Sequence, residues 1–191
     1  MGWQEDMIKS AEVIHASKQL LKKMFDCTTF EIYSVEGDNS NACTVLDKDC
    51  GIDYILKINN VFYTAAWRSI FVKKGEQIFS TFTLRKNRES GKKTEYDKRK
   101  EAIENGSLYP HFHIQAHVDD ETKKVLRLGI VKTKDLMNYI DTYNPKLVIN
   151  NRDQKGQTSF YSIEWSDMRD KNYNLTTYYL KYEEILYGNV L

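Results

Sequence analysis

Among the residues able to do chemistry, the densest set is Asp47-x-Asp49-x-Gly51-Ile52-Asp53-Tyr54-Ile55-Leu56, where carboxylates stand at the entrance of an apolar strand. A carboxylate so placed, preceded by glycine and further acids, can hold a hard divalent cation. Mg²⁺ takes oxygen ligands and keeps several of its waters, so a few protein carboxylates suffice. The plainer reading of the same residues is turn chemistry. A second set lies downstream, where Phe82-Thr83-Leu84-Arg85 runs into Lys86, Arg88, Lys92 and Lys93 and then Thr94-Glu95-x-x-Lys98. From Arg85 to Lys100 there are 8 basic and 3 acidic side chains. Glu95 and Lys98 are three apart, hence on one face of a helix. Lys98, Arg68 and Arg85 are of the type that neutralises phosphates, against the plainer reading of a solvated helix with a stray ion pair.

A third set is His111, His113 and His117, which alternate with apolar residues and share one face of one strand with Gln115. Histidines so grouped bind zinc or act as acid and base, although the polar side of an amphipathic strand looks the same. Tyr178, Tyr179, Tyr182 and Tyr187, mixed with Leu175, Leu180, Ile185 and Leu186, read as core packing or a homodimer interface rather than a base-stacking surface, because Lys171 and Lys181 are the only nearby cations. No glycine-rich phosphate loop, serine elbow or His-Glu-x-x-His occurs.

The overall charge hides a polarity. The 28 Lys and Arg against 27 Asp and Glu give +1. Residues 61–100, however, hold 11 basic and 4 acidic side chains, while residues 1–60 hold 6 and 10. The distribution, not the total, therefore bears on a nucleic-acid partner. With 191 residues and 41% hydrophobic residues, the chain suits one domain with a buried core. No apolar run approaches a membrane span, and the start MGWQEDMIKS lacks the basic and apolar regions of a signal peptide. Three cysteines with no C-x-x-C pair argue against a disulfide framework or a cysteine zinc site, so a reducing cytoplasm is expected.

The elements that must position these groups follow from periodicity. An amphipathic helix is expected over about residues 3–25, then a short strand at Phe30–Tyr33 and a polar loop from Glu36 to Asn41. Strands follow at Ile52–Ile58, Val61–Arg68 and Ile78–Arg85, with a tight turn at Asn59-Asn60. Thr94 is expected to cap a helix that stops at Gly106. Pro110–Val118 and Val125–Val131 read as a hairpin, Thr133 as the cap of a helix to Tyr139, and Thr158–Trp165 as a strand. The aromatic segment from about residue 173 to the end is expected to be helical. This order predicts a single α/β domain with a mixed central sheet flanked by helices.

The segments Gly51-Ile52-Asp53-Tyr54, Arg68, Phe82-Thr83-Leu84-Arg85 and Thr94-Glu95-x-x-Lys98, followed by the hairpin and short helix of residues 112–140, resemble small phage and mobile-element proteins of the restriction-endonuclease-like PD-(D/E)XK fold. The likeness covers about residues 45–165. It implies a metal site at Asp53 and cleavage of DNA or RNA phosphodiesters by metal-activated water, with Mg²⁺ as cofactor. Where that family carries a carboxylate and a lysine on its second strand, this chain has Ala65-Ala66-Trp67-Arg68. Arg68 can stand for the lysine, but Ala66 cannot ligate a metal. The missing carboxylate would have to come from Glu95, or from Glu31 or Asp49. Asp53 and Glu95 are then the metal ligands, Lys98 and Arg68 stabilise the phosphorane, and Arg85, Lys86, Arg88, Lys92 and Lys93 position the nucleic acid. The alternative is a non-catalytic inhibitor of the anti-CRISPR type, which binds a host nucleoprotein through the same basic strip.

Overall fold

Helix α1 (Trp3–Met24) buries Val13, Ile14, Ser17, Leu21 and Met24, whose spacing gathers them on one stripe. Lys22 and Lys23 in its last turn meet the negative end of the helix dipole. The structure, a computed structural model, describes residues 3–35, 40–88, 90–150, 158–180 and 184–186. After α1 come β1 (Phe30–Ser34), α2 (Asn41–Lys48), β2 (Tyr54–Ile58), β3 (Val61–Val72), β4 (Thr81–Asn87), α3 (Glu95–Glu104) and β5 (Phe112–Asp119). Then follow β6 (Val125–Lys132), α4 (Thr133–Tyr143), β7 (Leu147–Asn150), β8 (Thr158–Glu164), α5 (Trp165–Asp170), β9 (Leu175–Tyr179) and β10 (Glu184–Leu186).

Two sheets result. The larger has seven strands in the order β1-β2-β3-β5-β6-β9-β10, and the smaller has three in the order β4-β8-β7. β1, β2 and β3 form an antiparallel meander. Its second turn is Asn59-Asn60, with φ of 48° and 66°, the left-handed pair that a two-residue hairpin requires and asparagine tolerates. The chain then leaves the sheet through β4 and α3 and returns as β5, parallel to β3, with Ala66 opposite His113 and Arg68 opposite Gln115. The remaining pairs in the large sheet are antiparallel, so it is mixed.

The large sheet buries both faces. One packs on α1, where Val13, Leu21 and Phe25 meet Leu56, Phe112, Ile114 and Leu128. The expected helices do not cover the other face by themselves. The small sheet lies there with α3, α4 and α5, around Phe82, Leu84, Leu136, Tyr161 and Trp165. The Trp165 indole fits against the bare backbone of Gly129, where a Cβ would stand 2.6 Å from its ring. As a consequence His113, Gln115 and His117, expected to be the wet side of an amphipathic strand, are 2%, 0% and 1% exposed.

Other departures have local causes. α2 is started by Ser40, whose hydroxyl accepts the Cys43 N–H, so the polar stretch expected as a loop ends in a helix. Part of that expected loop, residues 36–39, lies outside the described residues. Thr133 is the first residue of α4 rather than its cap, which is Lys132. Leu175 to Tyr179 is a strand, not a helix, consistent with its run of threonine and tyrosine. There Tyr178 packs into the α1 core and Tyr179 against Trp165. Tyr182 and Tyr187, named above for an interface, lie outside the described residues. Among the described residues no helix is long and apolar enough to cross a membrane.

β4 is the outer strand of the small sheet, and its unpaired edge faces β5. Gln115 Oε1 accepts the Thr83 N–H at 2.8 Å, and its amide donates to the Thr81 carbonyl at 2.7 Å. Gln115→Leu keeps the volume and orphans both buried backbone groups. At roughly 1–3 kcal/mol each, the expected loss is about 2–6 kcal/mol in urea unfolding. A change below about 1 kcal/mol would show that this side chain does not join the sheets.

Candidate functional site

An open cleft of about 460 Å³ lies on the β4-facing side of the large sheet. Its walls come from elements far apart in sequence. The start of β2 contributes Gly51 and Asp53, β3 contributes Ala66, Trp67 and Arg68, and β5 contributes His113. Helix α3 adds Glu95, Lys98 and Arg99, the end of α2 and its exit add Asp47, Lys48 and Cys50, and the loop before α3 adds Arg88, Lys92 and Lys93. The four residues expected to be catalytic, Asp53, Arg68, Glu95 and Lys98, thus share one cavity.

Backbone hydrogen bonding holds Asp53 in place. Its N–H donates to the Ala65 carbonyl at 3.0 Å, and its Oδ2 accepts the Trp67 N–H at 2.7 Å. The carboxylate is thereby clamped across the β2–β3 hairpin, next to Ala66. Gly51, at φ 66°, makes the turn that delivers the chain from α2 into β2.

Glu95 is the first residue of α3, whose start is fixed by a capping box: Thr94 Oγ1 accepts the Asp97 N–H, and Asp97 Oδ2 accepts the Thr94 N–H at 3.0 Å. Glu95 Oε2 lies 3.5 Å from Arg68 Nη1 and accepts the Arg85 N–H at 3.3 Å. Burial pushes its carboxyl upward, but Arg68, Arg99 and Arg85 overcome that, and the group sits below its ordinary range. Lys98 donates its ammonium to the Lys48 carbonyl, tying α3 to the end of α2.

Arg99 forms the inner wall. It is 4% exposed, and its Nη1 is 3.0 Å from His113 Nδ1. A guanidinium only donates, so Nδ1 accepts and the neutral imidazole carries its proton on Nε2, which is buried with no hydrogen-bond partner among the described residues. His113 is therefore not poised as a general base. Burial, reinforced by Arg99 and Arg68, holds it well below its ordinary range. The three strand histidines do not converge on a ligand: His111 is exposed and bonded to Thr64, and His117 packs on Trp165. The Cys50 thiol, raised by burial and by Asp49, is protonated at neutral pH.

Several expected participants stand elsewhere. Lys86 is 3.6 Å from Asp97 and covers the Tyr96 ring at 3.8 Å, and neither it nor the Arg85 side chain lines the cleft. Glu31 pairs with Lys57 and Tyr33 on β1, and Asp49 caps the end of α2. Neither supplies the missing carboxylate. Arg88, Lys92 and Lys93 do line the cleft. Arg99 is the residue the motif reading passes over, although Glu95 and Arg99 are four apart and the i,i+4 spacing puts them on one helix face.

The donor chemistry suits Mg²⁺ in one respect: Asp53 and Glu95 are hard oxygen donors in a water-accessible cleft. Among the described residues no group of three or more His, Cys, Asp or Glu side chains converges as a metal cage. The protein would thus give two carboxylates and leave the other positions to water, which is common for this ion. Comparison with protein-family models, with curated proteins and with solved structures yields no match to this chain. The functional reading therefore stands on the cleft.

The buried histidines make stability depend on pH. Burial lowers His117 to about 4 from its ordinary 6.5, with the Thr81 carbonyl opposing and Arg127 assisting, and His113 is lowered too. The unfolded chain then binds more protons than the folded one between these limits, so stability falls as pH drops from about 6.5 toward 4. The slope is up to ~1.4 kcal/mol per pH unit for each histidine. Denaturant midpoints at pH 7, 6 and 5 are expected to fall in order, less steeply in His117→Leu. A flat wild-type profile would contradict these neutral, buried rings.

Proposed function

We propose that the chain is a metal-dependent nuclease of restriction-endonuclease-like fold that acts on DNA or RNA phosphodiesters. The observation that carries this is the meeting of Asp53, Arg68, and the α3 pair Glu95 and Lys98, from three separate stretches of sequence, in one cleft. The mixed sheet, with a meander that leads through α3 into a strand parallel to β3, supports the fold part of the reading. Acid beside base is the arrangement phosphodiester cleavage calls for: carboxylates for a divalent cation, cations for the charge that grows on the phosphoryl oxygens.

Mg²⁺, when bound, supplies the Lewis-acid charge that lowers the barrier to attack by water. The chain's own residues divide the rest. Asp53, held by the Trp67 N–H, and Glu95 provide the oxygens that would hold the cation. Arg68 and Lys98 face the scissile phosphate and offset its developing charge. Arg88, Lys92 and Lys93 align the adjoining backbone, an electrostatic attraction that weakens with salt.

One observation favours the second reading. Ala66 lines the cleft at the place where the resemblance calls for a carboxylate, so the same cationic surface would suit a non-cleaving inhibitor that grips the nucleic acid of a host nucleoprotein.

Labelled single-stranded DNA, duplex DNA and RNA, incubated with Mg²⁺ or with EDTA, separate the two. Cleavage in Mg²⁺ is expected, with a loss of at least about 100-fold in Asp53→Asn, the scale of removing one group that stabilises developing charge. The amide oxygen of that variant can still accept the Trp67 N–H, so folding is retained. Unchanged cleavage by Asp53→Asn sinks the mechanism, and no cleavage by the wild type, together with tight nucleic-acid binding, selects the inhibitor.

A further inference from the structure

We infer that the floor of the cleft is a receptor for a terminal phosphate monoester, so that the site engages a nucleic acid by a phosphorylated strand end. This deepens the nucleic-acid reading above and rests on it.

The observation is Arg99. It is buried, yet among the described residues no carboxylate oxygen lies within 4.0 Å of it, and its hydrogen bond goes to the neutral His113 ring. The cleft's other inner cations are engaged: Arg68 faces Glu95, and Lys98 donates to the Lys48 carbonyl. Glu95 and Asp53 act on this guanidinium only from beyond ion-pair distance, so part of its burial cost is left uncompensated, and a ligand that brings negative charge into direct contact relieves it. The planar fork of arginine matches two phosphate oxygens at once. His113 holds one Nη of that fork at 3.0 Å, and Arg99 lines the cavity beside it.

Depth and size then choose between phosphates. The cleft holds about 460 Å³, the scale of a small-ligand pocket and too little for a duplex. An internal phosphodiester carries chain on both sides, and both arms would have to pass back out. A terminal monoester carries one ester arm and enters end-on. Charge points the same way, since the monoester bears about −1.5 to −2 at neutral pH. The lining provides seven basic side chains against three acidic ones. Lys92 and Lys93, at the loop before α3, would meet the backbone that follows the inserted end, and they read charge without regard to the terminus.

The test uses the full chain in EDTA, which separates binding from cleavage. Fluorescent oligonucleotides of one sequence carry a 5′-phosphate, a 3′-phosphate, hydroxyls at both ends, or a ligated circle. One phosphorylated end is expected to bind at least about tenfold tighter than the hydroxyl form. The 5′ and 3′ arms identify which end, and inorganic phosphate is expected to compete for it. Arg99→Lys is expected to abolish the preference, whereas Lys92→Ala with Lys93→Ala weakens all four ligands alike. Should Arg99→Lys fail to fold, as circular dichroism would show, the wild-type comparison with the phosphate competition decides by itself. Equal binding of hydroxyl and phosphorylated ends, or none, overturns the inference. Cleavage in Mg²⁺ without end preference would leave the nuclease standing and this site rejected, and end preference without cleavage the reverse.

Discussion

The structure depends on how the polar face of β5 is buried. An interior strand with His113, Gln115 and His117 on one side can sit between two sheets only if those groups find partners or stay neutral. Gln115 satisfies the open edge of β4, and both imidazoles are held uncharged. That union places the small sheet over the large one and, through the short connection from β4, sets α3 beside β3. The cleft is what remains where α3, the end of α2 and the β2–β3 hairpin do not close over the sheet.

Within the cleft the charges are mutually dependent. Arg99 is tolerable at depth because Glu95 and Asp53 lower the local potential, and Glu95 stays ionised because Arg68, Arg99 and Arg85 surround it. A surface version of this cluster would contribute little, since water and salt screen it. Here the same groups are partly sheltered by α3, so their fields reach whatever enters. The phosphate proposed as ligand would answer both the guanidinium and the surrounding ammonium groups.

Much of this was legible in the sequence. The helix at the N-terminus, the Asn59-Asn60 turn and the Thr94 cap each rest on local chemistry, and local chemistry survives into the fold. That Asp53, Arg68, Glu95 and Lys98 line one cleft follows the grouping that the family resemblance implies, to which the charge polarity of residues 61–100 beside the acidic strand entrance also points. What escaped depended on tertiary context. Alternation along β5 marks two faces but does not say that a second sheet will cover the polar one, so the sequence alone assigns His113 and Gln115 to water. Lys86 looked like its neighbours in the basic strip until Tyr96 and Asp97 occupied it. Arg99 is one residue from Lys98 in the sequence, and only its depth distinguishes it.

The central claim is that Asp53 and Glu95 together hold a divalent cation beside a cationic wall. Mn²⁺ titration of isotope-labelled protein tests it most directly, because the paramagnetic ion broadens resonances only near its site. Selective broadening of the amides of Gly51, Asp53, Ala66 and Glu95, lost in both Asp53→Asn and Glu95→Gln, is the result predicted. Broadening spread over the exposed acids, or none in the cleft, would contradict the account.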